Sequence, residues 1–377
     1  MKNRQNYIDW IRVIAFGILI FYHSGMFFVS WEWHVKNNVI ANGFKIWMEI
    51  VNPWRLSLLF FISGVGVSFA MKSRTGLQFI SERTKRLLLP LAFGMFVIVP
   101  PQIYFERLQT HVFTGSYAEF YPSVFEFVAY PEGSFSWHHL WFVAYLWVFS
   151  ILSTPLFVWI RKQNIQLLNP ENTAFIKLLL LIIPLALTYI FLHQYWPTTH
   201  NLTADWYNFS ISLFFFIYGY IVSNQIFTWD IIEQKRKLFL FIALFIITLS
   251  KTYDAIFGAV PEDGIGILVL NGILKMTHIW FMILGICGFA KHYLNYRNRF
   301  VEYANQAVYP FYILHQTITV MIGFYIAELD INVISKFFIL VIGTFGAAFL
   351  IYHFLIRPFS LMRVLFGLKG KAIAKNE

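Results

Sequence analysis

Asn6–Phe28 reads NYIDWIRVIAFGILIFYHSGMFF. The apolar run from Ile8 to Val29 is long enough to cross a bilayer as one helix. Three polar groups interrupt it: Asp9, Arg12 and His23. Near one end, Asp9 and Arg12 can reach water, whereas a histidine eleven residues further in reaches it poorly. Eleven helical residues advance about 16 Å in about three turns, so Arg12 and His23 share a face. Asp9 falls within about a fifth of a turn of that stripe. Ionisable groups inside a span are costly and mark function by default. A satisfied polar pocket around His23 is the competing explanation.

Outward from this segment the composition agrees. Of 377 residues, 58% are hydrophobic and 13% charged. A soluble fold cannot bury so much apolar surface, so the chain is expected to be an all-α, polytopic integral membrane helix bundle. Cys287 is the sole cysteine, which excludes an internal disulfide and a Cys-based metal site. The net charge of +10 is dispersed between the apolar runs. That pattern sets membrane orientation and gives no patch for nucleic acid. The first span exceeds a signal-peptide core and lacks a small-residue cleavage site, so it is read as retained.

Long apolar runs give about ten spans: 8–29, 54–71, 87–104, 140–160, 175–192, 209–222, 238–257, 265–289, 304–327 and 333–356. With a cytoplasmic N-terminus, the basic clusters Arg83/Lys85/Arg86, Arg161/Lys162, Lys235–Lys237 and Arg297/Arg299 all fall inside. Both termini are therefore expected in the cytoplasm, with the chain in the inner (cytoplasmic) membrane. Residues 1–377 read as one membrane domain, with 370–377 a disordered basic tail. The longest outside loop, Glu106–His139, carries Tyr117, Phe120, Tyr121, Tyr130, Trp137 and His138. Such aromatics serve as interfacial anchors or as a stacking platform for a sugar.

Four constellations can carry chemistry. In the Asp9–Arg12–His23 stripe, a neutral His23 can take a proton from a hydroxyl. Arg83 and Arg86, in FISERTKRLLLP, are spaced i, i+3. They are either plain inside anchors or, with Arg12, a site for an anionic ligand, since the guanidinium fork binds oxyanions. Ser63, Gly64, Gly66 and Ser68, in FFISGVGVSFAM, allow close helix approach. His315 lies deep in the ninth span with Tyr312 one turn before it, and is either structural or catalytic. Asn271, Lys275 and His278 share a face of the eighth span. His138 and His139 lack zincin spacing and no HExxH is present, so no metal is expected.

At these residues the chain resembles the acyltransferase 3 family of membrane proteins. YIDWIRVIA, FYHSG, LFFISGVGVSFA, ERTKRLLLP, HLWFVAYLW and YPFYILHQ carry the resemblance in order along nearly the whole chain. Within the family it looks most like the glucan biosynthesis protein C branch, which succinylates periplasmic glucans. The resemblance implies an enzyme that moves an acyl group, acetyl or succinyl, from cytoplasmic acyl-CoA to a hydroxyl of an extracytoplasmic carbohydrate. It implies His23 as the essential histidine, and His315 matches a recurrent histidine position; Asp9, from its place on the stripe, is a further catalytic candidate. Arg12, Arg83 and Arg86 become donor-side residues. Acyl-CoA is then a substrate, and no permanently bound cofactor is expected.

The geometry of the first span fits this. Arginines at the inner surface hold the phosphates of coenzyme A, and its long arm reaches about 16 Å inward towards His23. His23 acts either as base or as a transiently acylated group. The partners are then acyl-CoA, a glycan acceptor and the lipid bilayer. Lys275 is a candidate reader of an acyl carboxylate by location. The alternatives are a glycan or anion transporter without covalent chemistry, and a non-catalytic membrane scaffold.

Overall fold

Among the described residues, ten helices in the computed structural model are long and apolar enough to cross a membrane. They are α1 Asn6–Met26, α2 Asn42–Met71, α3 Gly76–Gln109, α4 His138–Lys162 and α5 Thr173–Leu192, followed by α6 Trp206–Ser223, α7 Arg236–Phe257, α8 Ile265–Tyr293, α9 Arg299–Ile326 and α10 Val333–Ile356. The structure describes residues 5–168, 171–258 and 264–370, and no strand occurs among them. The expected tail, from residue 371 on, lies outside the described residues. The chain is a multi-pass, all-α membrane protein.

The apolar runs locate each of these ten helices, but α2 and α3 extend well beyond theirs. Their polar ends stay helical because backbone hydrogen bonding does not require an apolar face. In contrast, α1 stops at Met26, short of Val29. Lys36 reaches back and its ammonium donates to the carbonyls of Met26 (2.8 Å), Val29 (2.8 Å) and Trp31. The Met26 carbonyl is an orphan acceptor of the helix end, and the other two belong to the loop that follows. Burial, and then Lys45, lower the Lys36 ammonium to about 8.

Two compact units form. The first comprises 1–15, 50–80 and 148–301, and the second 16–49, 81–147 and 302–377. Trp280 of α8 centres the first unit. It is fully buried, with Phe61, Phe215 and Tyr218 packed around its ring. Its indole N–H donates to the Leu178 carbonyl at 2.9 Å, so no polar atom is stranded.

The small residues of α2 find their partner on α6. A Cβ on Gly64 would run into the Phe216 carbonyl oxygen, and one on Gly219 into that of Phe61. The two glycines thus lie reciprocally against each other's helix backbone. Nearby, the Ser68 and Ser223 hydroxyls pair at 2.6 Å.

In the second unit Phe27, Phe28, Val35, Phe105, Val320 and Leu340 form an apolar cluster. Beside it Lys336 of α10 is almost wholly buried. Its ammonium donates to Asn37 Oδ1 (2.8 Å), Asn38 Oδ1 (3.3 Å) and the Ala327 carbonyl (2.7 Å). A buried cation persists only with such a full set of acceptors.

Candidate active site

His23 stands in the last turn of α1, and His315 lies fully buried in the middle of α9. The structure brings them together. His315 Nδ1 lies 2.6 Å from the Tyr312 carbonyl oxygen, which can only accept. Nδ1 therefore carries the proton, and in a neutral ring Nε2 is the acceptor. That Nε2 is 3.2 Å from His23 Nδ1, so His23 donates from Nδ1 and its own Nε2 is the basic nitrogen. The rings are 4.9 Å apart. Trp33 presents an edge-to-face contact to His23 at 5.0 Å.

A third histidine supports the pair. His139 is buried, its ring 5.3 Å from that of His315. Its Nε2 donates to the Ile313 carbonyl at 3.1 Å, and the Tyr312 hydroxyl donates to the His139 carbonyl. Gln102 Nε2 donates to Thr317 Oγ1 at 2.7 Å and points at His139 Nδ1 at 3.3 Å. Gln102 Oε1 accepts from Gln316 Nε2 at 3.0 Å.

Local backbone places Gln102. A π-helical stretch, Gly94–Ile98, interrupts α3 just before Pro100 and Pro101. A proline cannot donate back along the helix. The carbonyls left over find side chains instead: Phe96 O accepts from the Tyr121 hydroxyl at 3.0 Å and Ile98 O from the Thr317 hydroxyl at 2.6 Å. Such π stretches recur at functional sites.

The network continues to a second cluster. Gln316 Nε2 lies 3.0 Å from His34 Nε2, and His34 Nδ1 makes a short contact with Glu106 Oε2. The Tyr130 hydroxyl donates to Glu106 Oε1 at 2.5 Å. Burial, and then that bond to Glu106, push the Tyr130 phenol well above its usual range, so it stays a donor. The His138 ring stacks on His34 with centroids 4.5 Å apart.

The remaining expected residues are distributed as follows. Asp9 accepts from Arg12 at 3.4 Å within the first unit, where the Arg12 guanidinium also borders Gly66. In the second unit Arg86 donates through Nε to the Gly367 carbonyl at 3.1 Å and lies 3.7 Å from Glu82. Arg83 and Arg86 both act electrostatically on Tyr309. Lys275 sits over the Tyr189 ring at 4.9 Å and His278 bonds the Ala243 carbonyl at 2.8 Å, both within the first unit.

Sequence reasoning did not single out Gln102, Glu106, His34 or Gln316. The available signal was a glutamine inside each of two apolar runs, which costs free energy unless it is paired.

The pair, with one ring nitrogen fixed as donor and the other as base, suits proton transfer at a hydroxyl. Comparison with known proteins points the same way. The family model described as an acyltransferase domain matches residues 5–353. Proteins called glucans biosynthesis protein C, from Escherichia coli strains SMS-3-5 / SECEC and K12, are each 23% identical over 99% of this chain and 96% of their own length. No solved structure gives a significant match.

Proposed function

This chain belongs to the acyltransferase 3 family of membrane acyltransferases, and from that premise we propose that it acylates a hydroxyl of an extracytoplasmic glycan with the acyl group of cytoplasmic acyl-CoA. The observation that carries this reading is the 3.2 Å contact of His315 Nε2 with His23 Nδ1, from which the tautomer of His23 follows. The proposed orientation puts both termini in the cytoplasm and the chain in the inner membrane, supported by the alternation of basic clusters.

In the proposed step, His23 Nε2 removes the proton of the acceptor hydroxyl as its oxygen attacks the thioester carbonyl. The new C–O bond gives a tetrahedral oxyanion. Its collapse breaks the C–S bond, and the coenzyme A thiolate takes the proton back from His23. The imidazolium is stabilised meanwhile through Nδ1–H donating to His315 Nε2. Arg83 and Arg86 are proposed to hold the donor phosphates, with Glu82 beside the Arg86 guanidinium, and Arg12, paired with Asp9, is proposed as a further donor-side residue. The glycan acceptor is suggested by the name of the Escherichia coli proteins.

The test is purified protein in detergent or nanodiscs, supplied with acetyl-CoA or succinyl-CoA and a glucose oligosaccharide. Product is followed by mass spectrometry and released thiol by a colorimetric reagent. Stoichiometric thiol release and acyl-glycan formation, lost in His23→Ala, are expected. Unchanged turnover in that variant would remove His23 from the chemistry. Vectorial glycan movement without thiol release would favour transport.

A further inference from the structure

We propose that His34, Glu106 and His138 bind one divalent transition-metal ion of the zinc type. The three come from separate places: the loop after α1, the last turns of α3 and the start of α4. One ligating atom of each lies within 4.8 Å of the other two. His34 Nδ1 already meets Glu106 Oε2, and His138 Nε2 is buried without a hydrogen-bond partner. A buried imidazole nitrogen in that condition is costly, and an ion beside it removes the cost.

With those three atoms facing the ion, the other polar atom of each group is already engaged. Glu106 Oε1 accepts from the Tyr130 hydroxyl at 2.5 Å, His138 Nδ1 lies 2.7 Å from Ser136 Oγ, and His34 Nε2 lies 3.0 Å from Gln316 Nε2. Metal sites are oriented by such outer hydrogen bonds. Two imidazoles and one carboxylate form a donor set that zinc takes with a fourth position open. Calcium and magnesium prefer all-oxygen sets.

Two adjustments accompany binding. The stacked rings of His34 and His138, 10° from parallel, tilt so that both lone pairs converge. Ligation through His34 Nδ1 also moves its proton to Nε2. The Gln316 amide swings away from Gln102 and meets that N–H with its oxygen, while the Gln102 amide keeps its bond to Thr317. The short His34–Glu106 contact is the pairing that holds the ligands together until the ion enters.

The site lies apart from the His23–His315 pair and is tested without measuring activity. Full-length protein purified without a polyhistidine tag is stripped with chelator and titrated with zinc chloride by calorimetry. Bound metal is then counted by mass spectrometry after desalting. One zinc per chain is expected, lost in His138→Ala and weakened roughly 10-fold in Ser136→Ala, which removes only an outer hydrogen bond. A Zn²⁺-dependent rise in the unfolding temperature of the wild type, absent in Glu106→Gln, is the second readout. Wild-type protein that takes up no zinc overturns the proposal. So does uptake that Glu106→Gln and Ser136→Ala leave unchanged, even if His138→Ala does not fold.

Discussion

Nε2 of His315 lies 3.2 Å from Nδ1 of His23, and the Tyr312 carbonyl decides which of the two donates. His315 is therefore a positioning residue that acts through its neighbour. His315→Ala is expected to lower kcat about 100-fold, the low end of what general-base catalysis contributes, with little change in the acyl-CoA KM. His315→Gln, whose Oε1 can accept from His23, should recover part of that loss, whereas His315→Leu should not. Equal activity of the Gln and Leu variants would sink the tautomer argument.

Arg83→Ala and Arg86→Ala should raise the KM for acyl-CoA, each by roughly 10-fold, as expected for loss of a charge-assisted phosphate contact. The acceptor KM should move little. Steady-state kinetics with each substrate varied in turn would check this, and an equal effect on both would assign the arginines to structure.

Gly64→Ala should destabilise the first unit despite the better helix propensity of alanine. Propensity favours the change by about 1 kcal/mol. The added Cβ, however, would run into the Phe216 carbonyl, a backbone atom that cannot swing aside. Overpacking of this kind costs about 1–3 kcal/mol, so a lowered unfolding temperature is expected. Gly17→Ala, which meets nothing within 4 Å, is the control.

Lys336→Met keeps the length of the side chain but strands Asn37 Oδ1 and the Ala327 carbonyl. A loss of about 2–3 kcal/mol follows from removing a charged, buried donor. Thermal denaturation followed by tryptophan fluorescence would measure it. A neutral outcome would mean that water replaces the ammonium.

The short helix Ile226–Gln234 is tethered by Glu233, which bonds His292 at 2.8 Å and lies 3.0 Å from Lys291. Burial raises the Glu233 carboxyl, but these contacts outweigh it and hold it below the usual carboxylate range. A carboxyl depressed in the folded state stabilises above its unfolded value, and that contribution disappears as pH falls through the folded one. Amide protection factors in residues 226–234, corrected for the intrinsic pH dependence of exchange, should fall as pH drops below the ordinary carboxyl value of 4.5, and Glu233→Gln should flatten this dependence. An unchanged pH profile in that variant would break the link.

The sequence was legible wherever one segment carries the information. Every span shows as an apolar run, and Gly64 and Gly66 announce close packing because no side chain stands there. His23 and Arg12 stood out because both are costly in lipid. That His315 meets His23 is a contact between α9 and α1, separated by 292 residues. No periodicity within either helix can report it. Glu106 read as the edge of a loop and His34 as a loop residue, since exposed-looking polar residues outside spans carry no penalty. Asp9, read as catalytic from its place on the stripe, is found bonded to Arg12.

The π-helical stretch at Gly94–Ile98 makes chain length itself part of the site. Each residue added to or removed from a helix rotates everything beyond it by about 100°. Deleting a single residue just beyond it, where the helix is α again at Pro100 and Pro101, would swing Gln102 and Glu106 about a quarter-turn from His139 and His34 while changing neither side chain. In this region a one-residue deletion is therefore a harsher lesion than most substitutions.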